Sequence, residues 1–409
     1  MIGGVNMDIF KAVFVFIAAV AVILLASYNA MPFEAESVVA EMQAEVEAFD
    51  TGLDASLLEG IDCKAAALYE CGTRTMISAK APGKSLPAGH MAKLAVFLAA
   101  AEMIDAGVLS VDETATVSAE ANSCSDPQIW LDKGEQITVD ELLTAISVGN
   151  ANDACVALAE YISKKNYSFT PLLERLMSSG TVKGNALIAM SDSRNDMEMN
   201  AVDIAELCGE LVKHKSFQSY FTTWMSTVRD GRAELVSRNR LIRTYKGVLG
   251  FKVCYTEASG YCAAVCAQRG DMTVCCVLMG CKDEDKMLAD CAELLDSAFS
   301  GYEVYYPEIP EEAQSSVPVV HGQVSEAMTE MPQLHNVIIK KGTYSNISCE
   351  YELAESITAP ATKGDTVGSI RFMIDDDVIV SSDIAISEEI KEVDFFFVFK
   401  RLLFNLLKF

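Results

Sequence analysis

A chain of 409 residues, 51% of them hydrophobic, can bury more than one core, so two domains are expected from length alone. Its formal charge of −26 would repel a phosphate backbone, which excludes nucleic acid as a partner. The 13 cysteines are an odd number, and with no C-x-x-C pair and only 4 histidines neither a metal site nor a cofactor is expected.

Lys11 precedes an apolar run over residues 12–26, a length of 15 that fits the core of a signal peptide better than a spanning helix. Tyr28 stands where a small residue is preferred before cleavage near Ala30, so residues 1–30 read as a signal peptide or an N-terminal membrane anchor. Either way the bulk of the chain is expected outside the cytoplasm. Residues 65–69 and 75–78 read as two strands around Cys71-Gly72-Thr73. Lys93 opens the apolar stretch 94–101, which is apolar nearly all round and therefore predicts a buried central helix. By itself that lysine could reach solvent along its stem. Likewise Asn150 and Asn152 after Gly149 read as loop or capping residues, and Lys252 as an exposed strand lysine. Cys262, Cys266, Cys275 and Cys276 fall on core strands, where free cysteine behaves as a small hydrophobe. Mostly reduced thiols are expected, with a Cys254 disulfide left open.

Residues 302–316 are proline-rich and acidic, as linkers are. Short β-like runs follow at 317–320, 336–340, 348–353, 366–374 and 378–380, predicting a β domain over 317–390. Residues 391–409 carry Lys391, Lys400, Arg401 and Lys408 against Glu392 and Asp394, among many Phe and Leu. That stretch is too short and too charged to span a bilayer and suits a helix lying on an anionic membrane surface; the alternative is a helix packed on its own domain.

Three segments stand in a telling order: His90-Met91-Ala92-Lys93, Asn150-Ala151-Asn152 and Lys252-Val253-Cys254. With the hairpin at 64–80, Gly134-Glu135 and the following 137–143, Asn152-Asp153-Ala154, Asn239-Arg240-Leu241-Ile242 and Ala258-Ser259-Gly260-Tyr261, they make the chain resemble the D-alanyl-D-alanine carboxypeptidases, the low-molecular-weight penicillin-binding proteins. Their signatures are S-x-x-K, S-x-N and K-T-G. The resemblance implies an α/β (α+β) fold of the β-lactamase/transpeptidase type over residues 37–301, an antiparallel sheet with a helical lobe, then the small all-β domain. It implies a partner as well, the peptidoglycan stem peptide ending in D-Ala-D-Ala, and attachment to the membrane surface through the C-terminal helix. A protein partner is not legible.

The chemistry explains why those residue types sit together. A serine hydroxyl needs a base, and a lysine three residues on, its pKa lowered by burial, supplies one from the same helical turn. The second motif adds a relay hydroxyl and an orienting amide. The third offers a lysine to hold the substrate carboxylate, a threonine hydroxyl and a glycine that admits the peptide backbone. Here Lys93, Asn152 and Lys252 persist. His90 occupies the nucleophile position, Asn150 the relay-serine position, and Val253 and Cys254 the positions of threonine and glycine. Each motif has lost a group the mechanism uses, so a catalytically impaired member is expected. The alternatives are an active carboxypeptidase with unorthodox residues and a non-enzymatic envelope scaffold. Ser85 precedes Pro87 in the preceding loop and has no lysine three residues on, so it reads as an ordinary loop serine.

Overall fold

The computed structural model describes residues 52–178, 191–192, 197–311 and 316–407. The apolar run at 12–26 lies outside the described residues.

Five antiparallel strands form the central sheet: β1 (Ala65–Glu70), β2 (Thr75–Lys80), β3 (Val248–Thr256), β4 (Gly260–Arg269) and β5 (Met272–Cys281). Their spatial order is β2-β1-β5-β4-β3. The first two strands are the hairpin read from the sequence, each one or two residues longer at its end. Both faces of the sheet are covered, so the strands read as apolar runs rather than alternating ones. Alternation is still what sorts the residues. Ala67, Cys254, Ala264, Cys266, Cys275 and Val277 face the helical lobe. Ala66, Leu68, Val253, Val265, Cys276 and Leu278 face the opposite way, toward the long helix Glu284–Gly301.

The lobe is built on α1 (Lys93–Asp105), α2 (Val139–Gly149), α3 (Asn152–Ser163) and α4 (Ala201–Lys213), with Glu284–Gly301 as α5 behind the sheet. In α1 every residue from Lys93 to Met103 is buried, as an all-round apolar helix requires. Phe97 is its packing centre, with the rings of Phe217, Tyr220 and Phe221 at 5.8, 5.8 and 4.4 Å. Helix α2 starts at a reciprocal cap, Thr138 accepting from the Glu141 N–H while Glu141 reaches back to the Thr138 backbone. Ser85 is exposed, ahead of the short strand Leu86–Pro87, apart from the motif lysines.

Residues 302–305, which the sequence placed in the linker, form β6 (Tyr302–Tyr305). It follows α5 directly and pairs antiparallel with β8 (Val337–Lys340) of the second domain. The aromatic and β-branched residues of Tyr302-Glu303-Val304-Tyr305 outweigh the turn chemistry of the prolines just beyond. The β domain also contains β7 (Val317–Val320), β9 (Ile347–Leu353), β10 (Thr366–Ile374) and β11 (Asp377–Ile386) around a core that includes Ile370, Phe372, Val380 and Ile384. Strand β11 runs well past residue 380 because Ser381 and Asp383 interrupt the apolar pattern without interrupting the pairing to β10.

The C-terminal helix α6 spans Phe395–Leu406, its N-terminus capped by the Asp394 carboxylate on the Phe397 N–H. Most of its described apolar side chains stay in the open: Phe395, Phe396, Leu402 and Phe404 are exposed, Phe396 by 78%, as is Leu407 just beyond, while Phe397 is half-buried. No helix among the described residues is long and apolar enough to cross a membrane.

This arrangement predicts opposite responses at two phenylalanines. Phe97→Ala should cost about 3–5 kcal/mol in urea unfolding, because a fully buried ring leaves a cavity. Phe396→Ser should stay within about 0.5 kcal/mol. Comparable losses at both positions would show that α6 packs on the folded body.

Candidate functional site

The fold brings the three motifs together where α1, the α2–α3 junction and β3 meet. Lys93 is the first residue of α1 and is fully buried. Its Nζ donates to the Asn150 carbonyl at 2.5 Å and to Asn152 Oδ1 at 2.6 Å. The escape along the stem to solvent, which the isolated residue would permit, does not occur, because the helix N-terminus points into the lobe rather than out of it. Burial lowers the Lys93 pKa to about 8, with the nearby Cys155, Asp192 and Asp153 acting in the opposite sense.

Asn150 terminates α2 in the left-handed region, φ 56°. Asparagine tolerates that conformation better than most residues, and its side chain is free to turn back. Its Oδ1 accepts from Lys252 Nζ at 2.7 Å, and its Nδ2 donates to the Val253 carbonyl at 3.2 Å. The isolated-loop reading of Asn150 and Asn152 as capping residues is therefore half right: Asn150 is the α2 terminus, but its amide crosses to β3. Asn152 opens α3, and its Nδ2 donates to the carbonyls of Ser125 and Asp126, at 2.9 and 3.2 Å, fixing the loop opposite.

Lys252 is not the exposed strand lysine that its residue type alone predicts. It is 1% exposed, because β3 turns it onto the lobe face, and its ammonium is surrounded by acceptors: the carbonyl of Ile146, that of Ser147 at 3.5 Å, and Asn150 Oδ1. Burial, and after it the positive charge of Lys93, brings the Lys252 pKa down to about 7. Two ammoniums thus converge on one asparagine, one on its carbonyl and the other on its amide oxygen.

His90 lies in the single helical turn Gly89–Ala92 that leads into α1. It is 5% exposed, and its Nδ1 is buried with no hydrogen-bond partner. Burial first, then repulsion from Lys93, Lys252 and Arg238, holds its pKa down at about 2, so the ring is neutral. Val253 points to the opposite face of the sheet, 2% exposed in the cluster with Leu241 and Val265. Cys254 returns to the lobe face directly across from Cys262, with the His90 backbone N–H against its sulfur. The neighbouring Cys262 thiol, and then burial, keep the Cys254 thiol protonated well above its ordinary range.

Sequence reasoning missed the supports of this site. The buried Asp153 carboxylate accepts from the backbone N–H groups of Ile129 and Leu131 at about 3.0–3.1 Å. Arg229 donates to the Ile129 carbonyl at 2.8 Å, to the Trp130 carbonyl at 2.5 Å and, through two nitrogens, to Glu135. Together they lock the loop that Asn152 also holds. Arg238 stands close enough to His90 to repel its protonated form and is itself clamped on Glu284, with bonds of 3.1 and 2.8 Å. Only Asp153, adjacent to Asn152, carried any signal in the sequence; Arg229 is defined by contacts 100 residues away in the chain and Arg238 by contacts 46 residues away.

A family model described as D-alanyl-D-alanine carboxypeptidase matches residues 53–283, more than half of the chain, and one described as the penicillin-binding protein 5 C-terminal domain matches residues 310–392. The chain is 28% identical over 353 residues to D-alanyl-D-alanine carboxypeptidase DacF of Bacillus subtilis, covering 85% of this chain and 91% of that one. It is 23% identical over 344 residues to D-alanyl-D-alanine carboxypeptidase DacC of Escherichia coli, covering 82% and 86%. Among solved structures, penicillin binding protein 5 from Haemophilus influenzae superposes with a TM-score of 0.68 at 21% identity, over 81% of this chain and 98% of that one, a likeness of fold. With the motif lysines on one asparagine, the antiparallel sheet behind them and the β domain after it, the chain belongs to the D-alanyl-D-alanine carboxypeptidase family of low-molecular-weight penicillin-binding proteins.

Proposed function

We propose that this chain is an envelope protein of peptidoglycan metabolism, held at the outer face of the cell membrane, that has lost the acyl-transfer step of its family. The observation that carries the reading is His90. An imidazole fills the position of the nucleophilic hydroxyl, 5% exposed, with Lys93 beside it engaged by Asn150 and Asn152. A neutral imidazole could in principle attack a carbonyl, but a substrate would have to displace a buried ring first. Lys93, with its lowered pKa, is suited to act as a base, yet there is no hydroxyl at position 90 for it to activate.

A second observation favours the scaffold reading over a stem-peptide binder. Lysine has three donors, and the acceptors around Lys252 are three as well: two backbone carbonyls and Asn150 Oδ1. That ammonium is already turned to the Ile146 carbonyl and Asn150 Oδ1, so holding a substrate carboxylate would require these contacts to open. Membrane attachment rests on α6. Its exposed Phe and Leu side chains, together with Lys400 and Arg401, have the amphipathic character of a helix lying among anionic headgroups.

Three outcomes follow. Incubated with a fluorescent penicillin, the purified chain should show no penicilloyl mass increment, and His90→Ser alone should restore little hydrolysis, since groups that act as one catalytic unit are strongly non-additive. His90→Ser combined with Asn150→Ser and Cys254→Gly should restore some. A stoichiometric adduct on the native chain sinks the impaired reading, and calorimetric binding of a D-Ala-D-Ala peptide that Lys252→Ala abolishes would favour the binder over the scaffold.

The α6 assignment is checked by flotation with vesicles containing anionic lipid. The chain through Phe409 should float, and a chain ending at Glu389 should not. Equal behaviour of the two would move α6 off the membrane.

The buried lysines also set a sign for stability against pH. Both have folded-state pKa values, about 8 for Lys93 and about 7 for Lys252, below the ordinary 10.5, so above the folded values the unfolded chain binds more protons. Their contribution to stability therefore rises with pH from about 7 toward the unfolded value and is least favourable below about 7. In urea unfolding across that window, Lys252→Met should show a shallower rise than the native protein. Parallel curves would mean that Lys252 is not buried in the folded state.

A further inference from the structure

We propose that Cys71, Cys208, Cys266 and Cys275 form a binding site for one thiophilic divalent cation of the zinc type, enclosed between the sheet and α4. The Sγ atoms of Cys208, Cys266 and Cys275 all lie within 4.8 Å of one another. Cys71 lies beside this group, its sulfur 3.8 Å from where a Cβ at Gly209, next to Cys208, would stand. A tetrahedral thiolate site with metal–sulfur bonds of about 2.3 Å places its sulfurs about 3.8 Å apart, so Cys208, Cys266 and Cys275 close around an ion with movements of about 1 Å, while Cys71, outside that group, moves further to complete it.

The fold converges these residues from four places. Cys71 follows the last residue of β1, Cys208 lies on α4, and Cys266 and Cys275 are direct partners across β4 and β5. Gly209 permits the approach of helix and strand: a Cβ there would stand 3.1 Å from the Tyr69 ring and 3.8 Å from the Cys71 sulfur. Without a side chain at 209, α4 settles onto β1 and carries Cys208 to the other thiols.

Isolated buried cysteines are ordinary core filling, and so are pairs. On the opposite face of the sheet Cys276 and Cys291 meet at 3.9 Å, which supplies two ligands only. The Cys208 group is different in number and in mutual distance, and among the described residues it is the only set of three or more His, Cys, Asp or Glu side chains whose ligand atoms come together. No oxygen ligand belongs to it, which selects a soft cation over magnesium or calcium. Cys71 is 5% exposed and the other three are fully buried, so the ion enters as the sheet and α4 assemble, each coordinating thiol giving up its proton to water on binding.

The test measures metal content on the full chain, purified in detergent from cells grown with zinc. About one zinc per chain should survive dialysis against a mild chelator. Cys208→Ser and Cys275→Ser should each lose it, whereas Cys276→Ser should keep it. Because either loss variant could fail to fold, the native chain is also refolded with cobalt(II), which should give thiolate-to-metal charge-transfer absorption and the d–d bands of a tetrahedral site. The proposal is overturned if the folded native chain holds neither metal, if Cys276→Ser loses as much metal as Cys208→Ser, or if mass spectrometry finds Cys266 and Cys275 joined as a disulfide. None of these readouts depends on carboxypeptidase chemistry.

Discussion

Two lysine ammoniums buried against a single asparagine are the constraint around which the catalytic-type domain is organised. Charged groups removed from water must find acceptors or give up their protons. Here the acceptors come from the α2–α3 junction: the carbonyl and the amide oxygen of Asn150, the carbonyls at the end of α2 and the amide of Asn152. That requirement sets the left-handed turn at Asn150. It also brings α1, the junction and β3 together. The loop at 125–135 is then held by the Asn152 amide and by the Asp153 and Arg229 network.

The same arrangement shows how the altered motif positions fit the folded site. In an active member the relay position carries a hydroxyl, which can pass a proton and then release it. Asn150 cannot relay a proton, but its amide bridges Lys252 and the Val253 backbone, so it keeps the strand and the helix junction in register. His90 likewise fills space and stays neutral beside two lysines, which repel its protonated form. The residues at these motif positions are compatible with the electrostatics of the folded site. Selection for a stable, closed body would favour them.

Away from that centre the exterior is divided in character. The chain as a whole is strongly acidic, whereas α6 combines exposed aromatic side chains with Lys400 and Arg401. An acidic body and a basic apolar helix would orient a protein at an anionic surface, the body repelled and the helix drawn in. The β domain's link to the first domain is firmer than a flexible linker, since β6 leaves α5 and enters the second domain's pairing at once.

The sequence by itself determined the order of the elements, the buried character of α1, the hairpin of β1 and β2, and the identity of the residues at all three motif positions. Those follow from local pattern: apolar continuity, turn residues and short-range spacing. It could not determine how exposed Lys93 and Lys252 are, since a long-stemmed cation at a helix start or on a strand reads the same whether its end meets water or a carbonyl. Nor could it find Arg229 and Arg238 as supports, or see that β6 begins before the proline-rich stretch, or gather Cys71, Cys208, Cys266 and Cys275, which stand far apart in the chain and share no short motif. Tertiary structure decided these, because each depends on which acceptor, thiol or strand edge another part of the chain brings within a few ångströms, and the local periodicity carries no record of that neighbour.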